Sequence, residues 1–379
     1  MEKKLNRTMI AAIVPLLCVC SSVPSEPNPG YSYTLPEQTG DGWSTTSLIQ
    51  AGIDETLIVA AIEGIKRGDY PRVHSILVAR HGDLVLEEYF RGQVYLNPVQ
   101  RFGPEVLFDR DRTHQLASVT KSITSTLAGL AVHHAFIEDL QVPVHTFFPE
   151  YAGAFDEAKK RITLEHLLTM TSGWEWNENT EWGVSSNDMY GFNVASDPLA
   201  YLVGKGLAAE PGLSWVYNGG AVTLLGKLIE KASGKNLEAF SDQYLFTPLG
   251  VTDFSWPYMK PTLIAAHGDA RLRPRDMAKL GQLFLDGGVW NGTRILPESW
   301  VEAATGGALD GDYGYLWWGD GSWGGYEVFR SFSARGWGGQ WIIVLPDLDM
   351  VVVFTGGNYE SWDPVETIMV EHILPAVGR

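Results

Sequence analysis

Two pairs of apolar strands stand at opposite ends of this chain, and between them apolar residues recur at helical spacing. Near the start, Val73–Arg80 reads as a strand, His81-Gly82-Asp83 as a hairpin turn and Leu84–Phe90 as the returning strand. Near the end, Gln340–Leu345 is broken by Pro346-Asp-Leu-Asp and returns as Met350–Thr355, after which Ile368–Ala376 reads as a short closing helix. In the middle, Val119, Ile123, Leu127 and Leu130 share one face of a helix starting at Ser118. Leu164–Met170, Val222–Ala232 and Pro274–Leu285 repeat that spacing, and Asp54–Gly68 reads as a helix stopped by its glycine. Strands from both ends around a helical middle imply an α/β fold of the α+β kind: one antiparallel sheet flanked by helices, plus an all-helical insertion. The expected partition is residues 23–135 and 260–379 as a discontinuous α/β domain, with 136–259 as a mainly helical domain.

A chain of 379 residues suits two domains sharing a core, and 45% apolar residues with 41 glycines exclude disorder or a fibre. Many of the fourteen tryptophans fall between Trp290 and Trp362, a pattern of core and cleft wall that suits a small ligand. The formal charge is −17, and because residues 1–22 carry +2, the remainder carries −19. An acidic body without a basic stripe argues against nucleic acid and anionic membrane surfaces as partners. Residues 1–22 read as a signal peptide. Lys3, Lys4 and Arg7 precede an apolar run, Met9–Val19, too short to span a bilayer, and the small Ser21 and Ser22 follow. The expected location is therefore periplasmic or secreted. Leu17-Cys18-Val19-Cys20 weakly resembles a lipoprotein box, which would add a lipid anchor at Cys20, although Val19 is bulky for that place. Both cysteines lie in this segment, so cleavage after Ser22 would leave no disulfide.

Three short elements carry candidate chemistry. Leu116-Ala-Ser-Val-Thr-Lys-Ser-Ile holds the only Ser-x-x-Lys of the sequence. Ser118 opens an amphipathic helix, and a spacing of three puts Lys121 one turn on, on the same face. A serine at a helix start is first of all an N-cap. A lysine turned inward is harder to explain structurally, since burial in general favours a neutral amine, which can take a serine proton. The second element is Pro211-Gly-Leu-Ser-Trp-Val-Tyr-Asn-Gly-Gly, where Tyr217 precedes a helix and could simply seal its N-terminus. The third is Arg335-Gly-Trp-Gly-Gly-Gln-Trp. Its glycines either leave backbone amides open to a ligand or make a hairpin turn.

Together the three elements resemble the active-site boxes of the serine β-lactamase and penicillin-binding-protein superfamily, on its class C-like esterase and 6-aminohexanoate-dimer-hydrolase-like branch. His166-Leu-Leu-Thr-Met-Thr-Ser-Gly, Tyr244-Leu-Phe-Thr-Pro-Leu-Gly, Arg275-Asp-Met-Ala-Lys-Leu-Gly-Gln-Leu, Pro297-Glu-Ser-Trp and Tyr313-Gly-Tyr-Leu-Trp-Trp are similar to phrases of that family in the family's order, over roughly Val73 to Val370. The resemblance implies a β-lactamase/transpeptidase-like fold with the active site between its two domains. It implies Ser118 as nucleophile, Lys121 as its proton partner and Tyr217 as general base. It also implies an oxyanion hole made by the backbone N–H groups of Ser118 and Gln340, with no cofactor and no metal.

Two departures from the family pattern bear on substrate. The second box is usually Tyr-x-Asn, and here it reads Tyr217-Asn218-Gly219. The third is usually Lys-Thr-Gly or His-x-Gly, and here it reads Trp337-Gly338-Gly339, with an indole in place of the cation that holds a substrate carboxylate. The Trp substitution resembles carboxylesterase relatives. The Tyr-Asn-Gly text and the loop from Trp182 to Tyr190 resemble amide hydrolases of nylon-type oligomers. Trp337, Gly338, Gly339, Asn218 and Tyr190 are accordingly the expected substrate-binding residues. A carboxylesterase or amidase working through an acyl-enzyme is the first expectation, and a β-lactamase or D-alanyl-D-alanine carboxypeptidase the second. A non-catalytic binding module would have no need of Ser118, Lys121 and Tyr217 together. No Gly-x-Ser-x-Gly elbow and no zinc-type histidine spacing occurs.

Overall fold

In the computed structural model of the chain, the described residues are 30–96, 101–309, 313–321, 323–324 and 329–377. The expected leader and Cys20 lie outside them. Contacts divide the chain into Met1–Tyr31 and Ser32–Arg379, and all that follows concerns the second unit.

The sheet is built from both ends of this unit. Its strands are β1 (Ser44–Thr45), β2 (Val73–Arg80), β3 (Asp83–Tyr89), β4 (Trp318–Gly319), β5 (Phe332–Gly336), β6 (Gln340–Leu345) and β7 (Met350–Gly356). Their order across the sheet is β1-β3-β2-β7-β6-β5-β4, antiparallel except for the β1–β3 pair. The N-terminal and C-terminal hairpins therefore meet at its centre, where Leu77 lies opposite Val353. His81 and Gly82 both adopt positive φ (56° and 80°), the two-residue turn whose twist matches the flanking strands. β6 and β7 are buried along their whole length and β2 nearly so, which explains why these segments read as continuous apolar runs rather than alternating ones.

The helices follow the expected spacing closely. α1 (Glu55–Arg67) is capped by the Asp54 carboxylate, which accepts from Thr56 N at 2.8 Å, and stops at Gly68 with φ 88°. α2 (Val119–His133) is almost wholly buried, α3 is Gly219–Ser233, and α4 (Pro274–Leu285) packs across β2, β6 and β7. α3 packs on α2, and one continuous apolar core joins Leu224, Leu228 and Phe192 of the helical middle to Ile342, Val344 and Val351 of the sheet. No helix among the described residues is long and apolar enough to cross a membrane.

Candidate active site

The chain enters α2 through a strained turn. Ala117 has φ 45°, a left-handed conformation that costs a non-glycine residue of order 1–3 kcal/mol and persists only where its surroundings enforce it. Here the enforcement comes from residues 265–272. Asp269 N donates to Ala117 O (3.1 Å), Leu116 N to Ala270 O (2.9 Å), and Ala270 N to Thr120 Oγ1 (3.0 Å). One turn on, Thr124 Oγ1 donates to Ala266 O at 2.6 Å. The first turns of α2 are thus stapled to a second segment before any chemistry is considered.

Ser118 occupies the N-cap position, but its φ and ψ (−73°, −7°) are already helical and its side chain makes no cap bond. Its hydroxyl is turned instead to Lys121, whose Nζ lies 3.0 Å from Oγ. The same Nζ donates to His267 O at 2.8 Å and stands 4.7 Å from the centre of the Tyr217 ring. Lys121 is 3% exposed, so this ammonium or amine has been removed from bulk water and placed against a serine hydroxyl and a phenol. The imidazole of His267 bonds Thr223 Oγ1 at 2.7 Å. Burial, and secondarily the nearby Lys121, lower its pKa to about 3, so it adds no positive charge to the site at neutral pH.

Ser118 and Tyr217 line a cavity of about 280 Å³ with Trp318, Arg335, Gly336 and Trp337. Aromatic rings make much of its wall. Tyr217 packs on Trp318 at 5.7 Å, and Trp215 and Tyr313 complete that cluster. The phenol of Tyr313 is raised well above its ordinary pKa, by burial first and by the neighbouring Tyr217 and Glu178 after it. Glu178 anchors the segment behind Tyr217. Its Oε2 accepts from Gly219 N (2.9 Å) at the start of α3 and from Trp176 Nε1 (2.7 Å), a favourable place for an anion.

The structure places the remaining expected residues unevenly. Trp337 lines the cavity beside Ser118, its indole set edge-on to Tyr95 and Tyr359 at 5.6 and 5.1 Å. Gly338 and Gly339, with φ near 89° and 88°, form the β5–β6 turn, and Gly338 also lines a hollow next to the cavity. The glycine that meets the nucleophile is Gly336: a Cβ there would sit 2.3 Å from Leu116 O and 3.1 Å from Ser118 N. Gln340 pairs with Gly336 in the ladder. Its buried amide bonds both polar groups of Gly356, donating to O at 2.8 Å and accepting from N at 3.2 Å, and it is not among the residues lining the cavity. Asn218 caps α3 through Oδ1 to Ala221 N (2.8 Å) and is 1% exposed, so it serves the helix rather than the cavity wall. Tyr190, on the short helix Asp188–Val194, packs against Trp182 at 5.5 Å, away from the cavity lining.

Two lining residues stand outside the expected substrate-binding set, Trp318 and Arg335. Arg335, two residues before Trp337, is with Arg330 one of the basic side chains from which the sequence allows a charge to reach the site by another direction, and the structure puts Arg335 in the cavity wall. Its guanidinium is nevertheless committed: Nη2 bonds Asp320 Oδ1 at 2.5 Å, Nε bonds Ser333 Oγ at 2.9 Å, and the group lies 4.5 Å over the Trp341 ring. The Asp320 carboxylate, buried beneath it, has its pKa raised by desolvation against the opposing pull of Arg335. Among the described residues, no cluster of histidine, cysteine and acidic side chains is arranged to hold a metal.

Comparison with known proteins bears on the same residues. A family model described as Beta-lactamase matches residues 72–366. The 6-aminohexanoate-dimer hydrolase of Paenarthrobacter ureafaciens is 26% identical over 321 residues, covering 77% of this chain and 74% of that protein. Esterase EstB of Burkholderia gladioli is 30% identical over 198 residues, 50% of this chain and 48% of that one. The chain spans between 37% and 74% of the length of the curated relatives it matches here. Among solved structures, a family VIII carboxylesterase superposes with a TM-score of 0.63 at 16% identity, over 86% of this chain and 99% of that one.

Proposed function

The chain belongs to the beta-lactamase family, and from that premise we propose that it is a serine hydrolase forming an acyl-enzyme on Ser118, with carboxylic esters as its preferred substrates. The observation that carries this reading is the 3.0 Å contact between Ser118 Oγ and Lys121 Nζ, on the wall of a cavity that Tyr217 also lines. A serine held at that distance from an amine can lose its proton as it attacks. Esterase EstB and the 6-aminohexanoate-dimer hydrolase are an esterase and an amide hydrolase by name, in keeping with acyl transfer to water.

The steps follow from the placement of groups. Ser118 Oγ bonds the substrate carbonyl carbon while its proton passes to the Lys121–Tyr217 pair. The carbonyl oxygen becomes an oxyanion, received by the backbone N–H of Ser118 and a second amide from the β5–β6 hairpin. We assign that second donor to Trp337, which lines the cavity, rather than to Gln340, which does not. Each such donor is typically worth about 3–4 kcal/mol in the transition state. The C–O bond then breaks, the alcohol departs with the proton, and water repeats the sequence to release the acid.

Preference for esters rests on Arg335 and the aromatic wall. A penicillin carboxylate would find a guanidinium already bonded to Asp320, whereas a neutral ester needs no cation and gains from the rings. Losing one charge-assisted hydrogen bond is worth roughly 1.5–3 kcal/mol, or one to two decades in kcat/KM. Purified protein should therefore hydrolyse a p-nitrophenyl acetate or butyrate ester at least about tenfold faster, in kcat/KM, than nitrocefin or a 6-aminohexanoate dimer. Faster turnover of nitrocefin would favour the β-lactamase reading, for which the presence of Arg335 in the cavity is the supporting observation.

A further inference from the structure

A second, larger hollow of about 500 Å³ adjoins the nucleophile's cavity and shares Arg335, Gly336 and Trp337 with it. Two indoles on its walls stand half in water, Trp337 at 50% and Trp362 at 55% exposure. Exposed rings facing a concavity beside a reactive serine mark a binding surface rather than unfinished core. The surface is pre-formed: Trp337 is held edge-on by Tyr359, which itself stacks on Tyr95 at 3.8 Å. Glu360 is exposed on the wall. Asp363 is half-buried, its Oδ2 accepting from Trp341 Nε1 at 2.9 Å.

The charge balance narrows the occupant. Arg335, the cation among the lining residues, is tied to Asp320 and lies against Trp341, while Glu360 and Asp363 add acceptors, so the hollow opposes an anion. A plain alkyl chain would use the rings but would desolvate the carboxylates without bonding them. A neutral ligand with a C–H face for the indoles and hydroxyl donors for the acceptors satisfies both.

We propose that this hollow is an alcohol subsite that takes a sugar, so that the protein's substrates include acyl esters of carbohydrates; this rests on the serine-hydrolase reading above. The small cavity at Ser118 keeps the acyl group, and the adjoining hollow receives the departing sugar. Ser118 Oγ bonds the acyl carbon, the bond from that carbon to the sugar oxygen breaks, and the proton from Ser118 reaches that oxygen through Lys121 and Tyr217. Water then hydrolyses the acyl-enzyme.

The test compares methyl 6-O-acetyl-glucopyranoside with p-nitrophenyl acetate in wild type, Trp362→Ala and Glu360→Gln. Trp362 is mostly exposed, so its truncation removes little packing. Trp362→Ala should lower kcat/KM for the sugar ester at least about tenfold, and Glu360→Gln about threefold, with p-nitrophenyl acetate changed by less than about twofold. A wild type that cleaves p-nitrophenyl acetate but not the sugar ester, or a Trp362→Ala variant that slows both equally, overturns the subsite. If neither ester is cleaved, the hydrolase reading has failed on its own. The subsite is then read by calorimetry of methyl glucopyranoside on Ser118→Ala protein, where absence of binding overturns it and binding lost in Ser118→Ala/Trp362→Ala upholds it.

Discussion

Lys121 Nζ meets Ser118 Oγ, the carbonyl of His267 and the ring face of Tyr217 at once, and in the proposed mechanism lysine and tyrosine serve one proton transfer. Residues that act as a unit lose their effect together. Lys121→Ala and Tyr217→Phe should each remove most ester turnover, by about a hundredfold or more, and the double variant should be little worse than either. Steady-state kcat/KM of the four proteins checks this, and losses that add as free energies would contradict a coupled pair. Ser118 and Lys121 stand out in the sequence through a local relation, three positions along one helix, whereas Tyr217 by itself reads as sealing a helix N-terminus and takes its expected role from the family resemblance. The placements of Gln340 and Asn218 were harder to read, because they depend on which way a turn aims a group. A three-residue turn puts Gly336 and Trp337 at the nucleophile and leaves Gln340 bonded to Gly356, and spacing alone does not determine that register.

The β5–β6 hairpin and the N-terminus of α2 approach each other backbone to backbone at Gly336. A methyl group there would lie 2.3 Å from Leu116 O, too close to real contact, and the obstacle is main chain rather than a flexible side-chain end. Gly336→Ala must therefore push the strand from Ser118, where a displacement near 1 Å can cost about a hundredfold in rate. The expected outcome is a loss of about ten- to a hundredfold in kcat with the circular dichroism spectrum retained, and unchanged kcat would contradict the tight apposition. The paired strands were readable because their apolar runs end in strong turn signals, Pro346 in one hairpin and Gly82 in the other. The strap at 265–272 that positions α2 was not readable, since on its own side it uses only backbone groups, such as Asp269 N to Ala117 O and Ala266 O to Thr124 Oγ1, that any residue there could offer. Trp318 was missed as a site residue for a related reason. β4 is only two residues long, and its single tryptophan belongs to a Trp-rich stretch that reads as core and cleft wall together.

Three buried histidines, His74, His114 and His267, are kept uncharged at neutral pH. His114 Nδ1 bonds Gln115 O at 2.9 Å, and a carbonyl only accepts, so that nitrogen carries the proton. His114 Nε2 then accepts from His74 Nδ1 at 2.9 Å, leaving the buried His74 Nε2 with a lone pair and no partner among the described residues. Burial is the main cause lowering His74 to about 2, His114 to about 4 and His267 to about 3. With folded values below the ordinary 6.5, the unfolded chain binds more protons as pH falls, so stability present above pH 6.5 is lost toward pH 4, at up to about 1.4 kcal/mol per pH unit for each group. Thermal unfolding midpoints should therefore drop from pH 7 to pH 5, and His114→Gln should make the decline shallower; a flat profile over that range would contradict the buried neutral pair. The assignment of Ser118 as nucleophile, at the meeting of helix and sheet hairpin, governs the rest of the chemistry. It is tested most directly by intact-protein mass spectrometry after rapid quenching during turnover of p-nitrophenyl butyrate. The expected result is a butyryl adduct that maps to Ser118 and disappears in Ser118→Ala. Turnover that survives Ser118→Ala, or an adduct that maps to another residue, would contradict it.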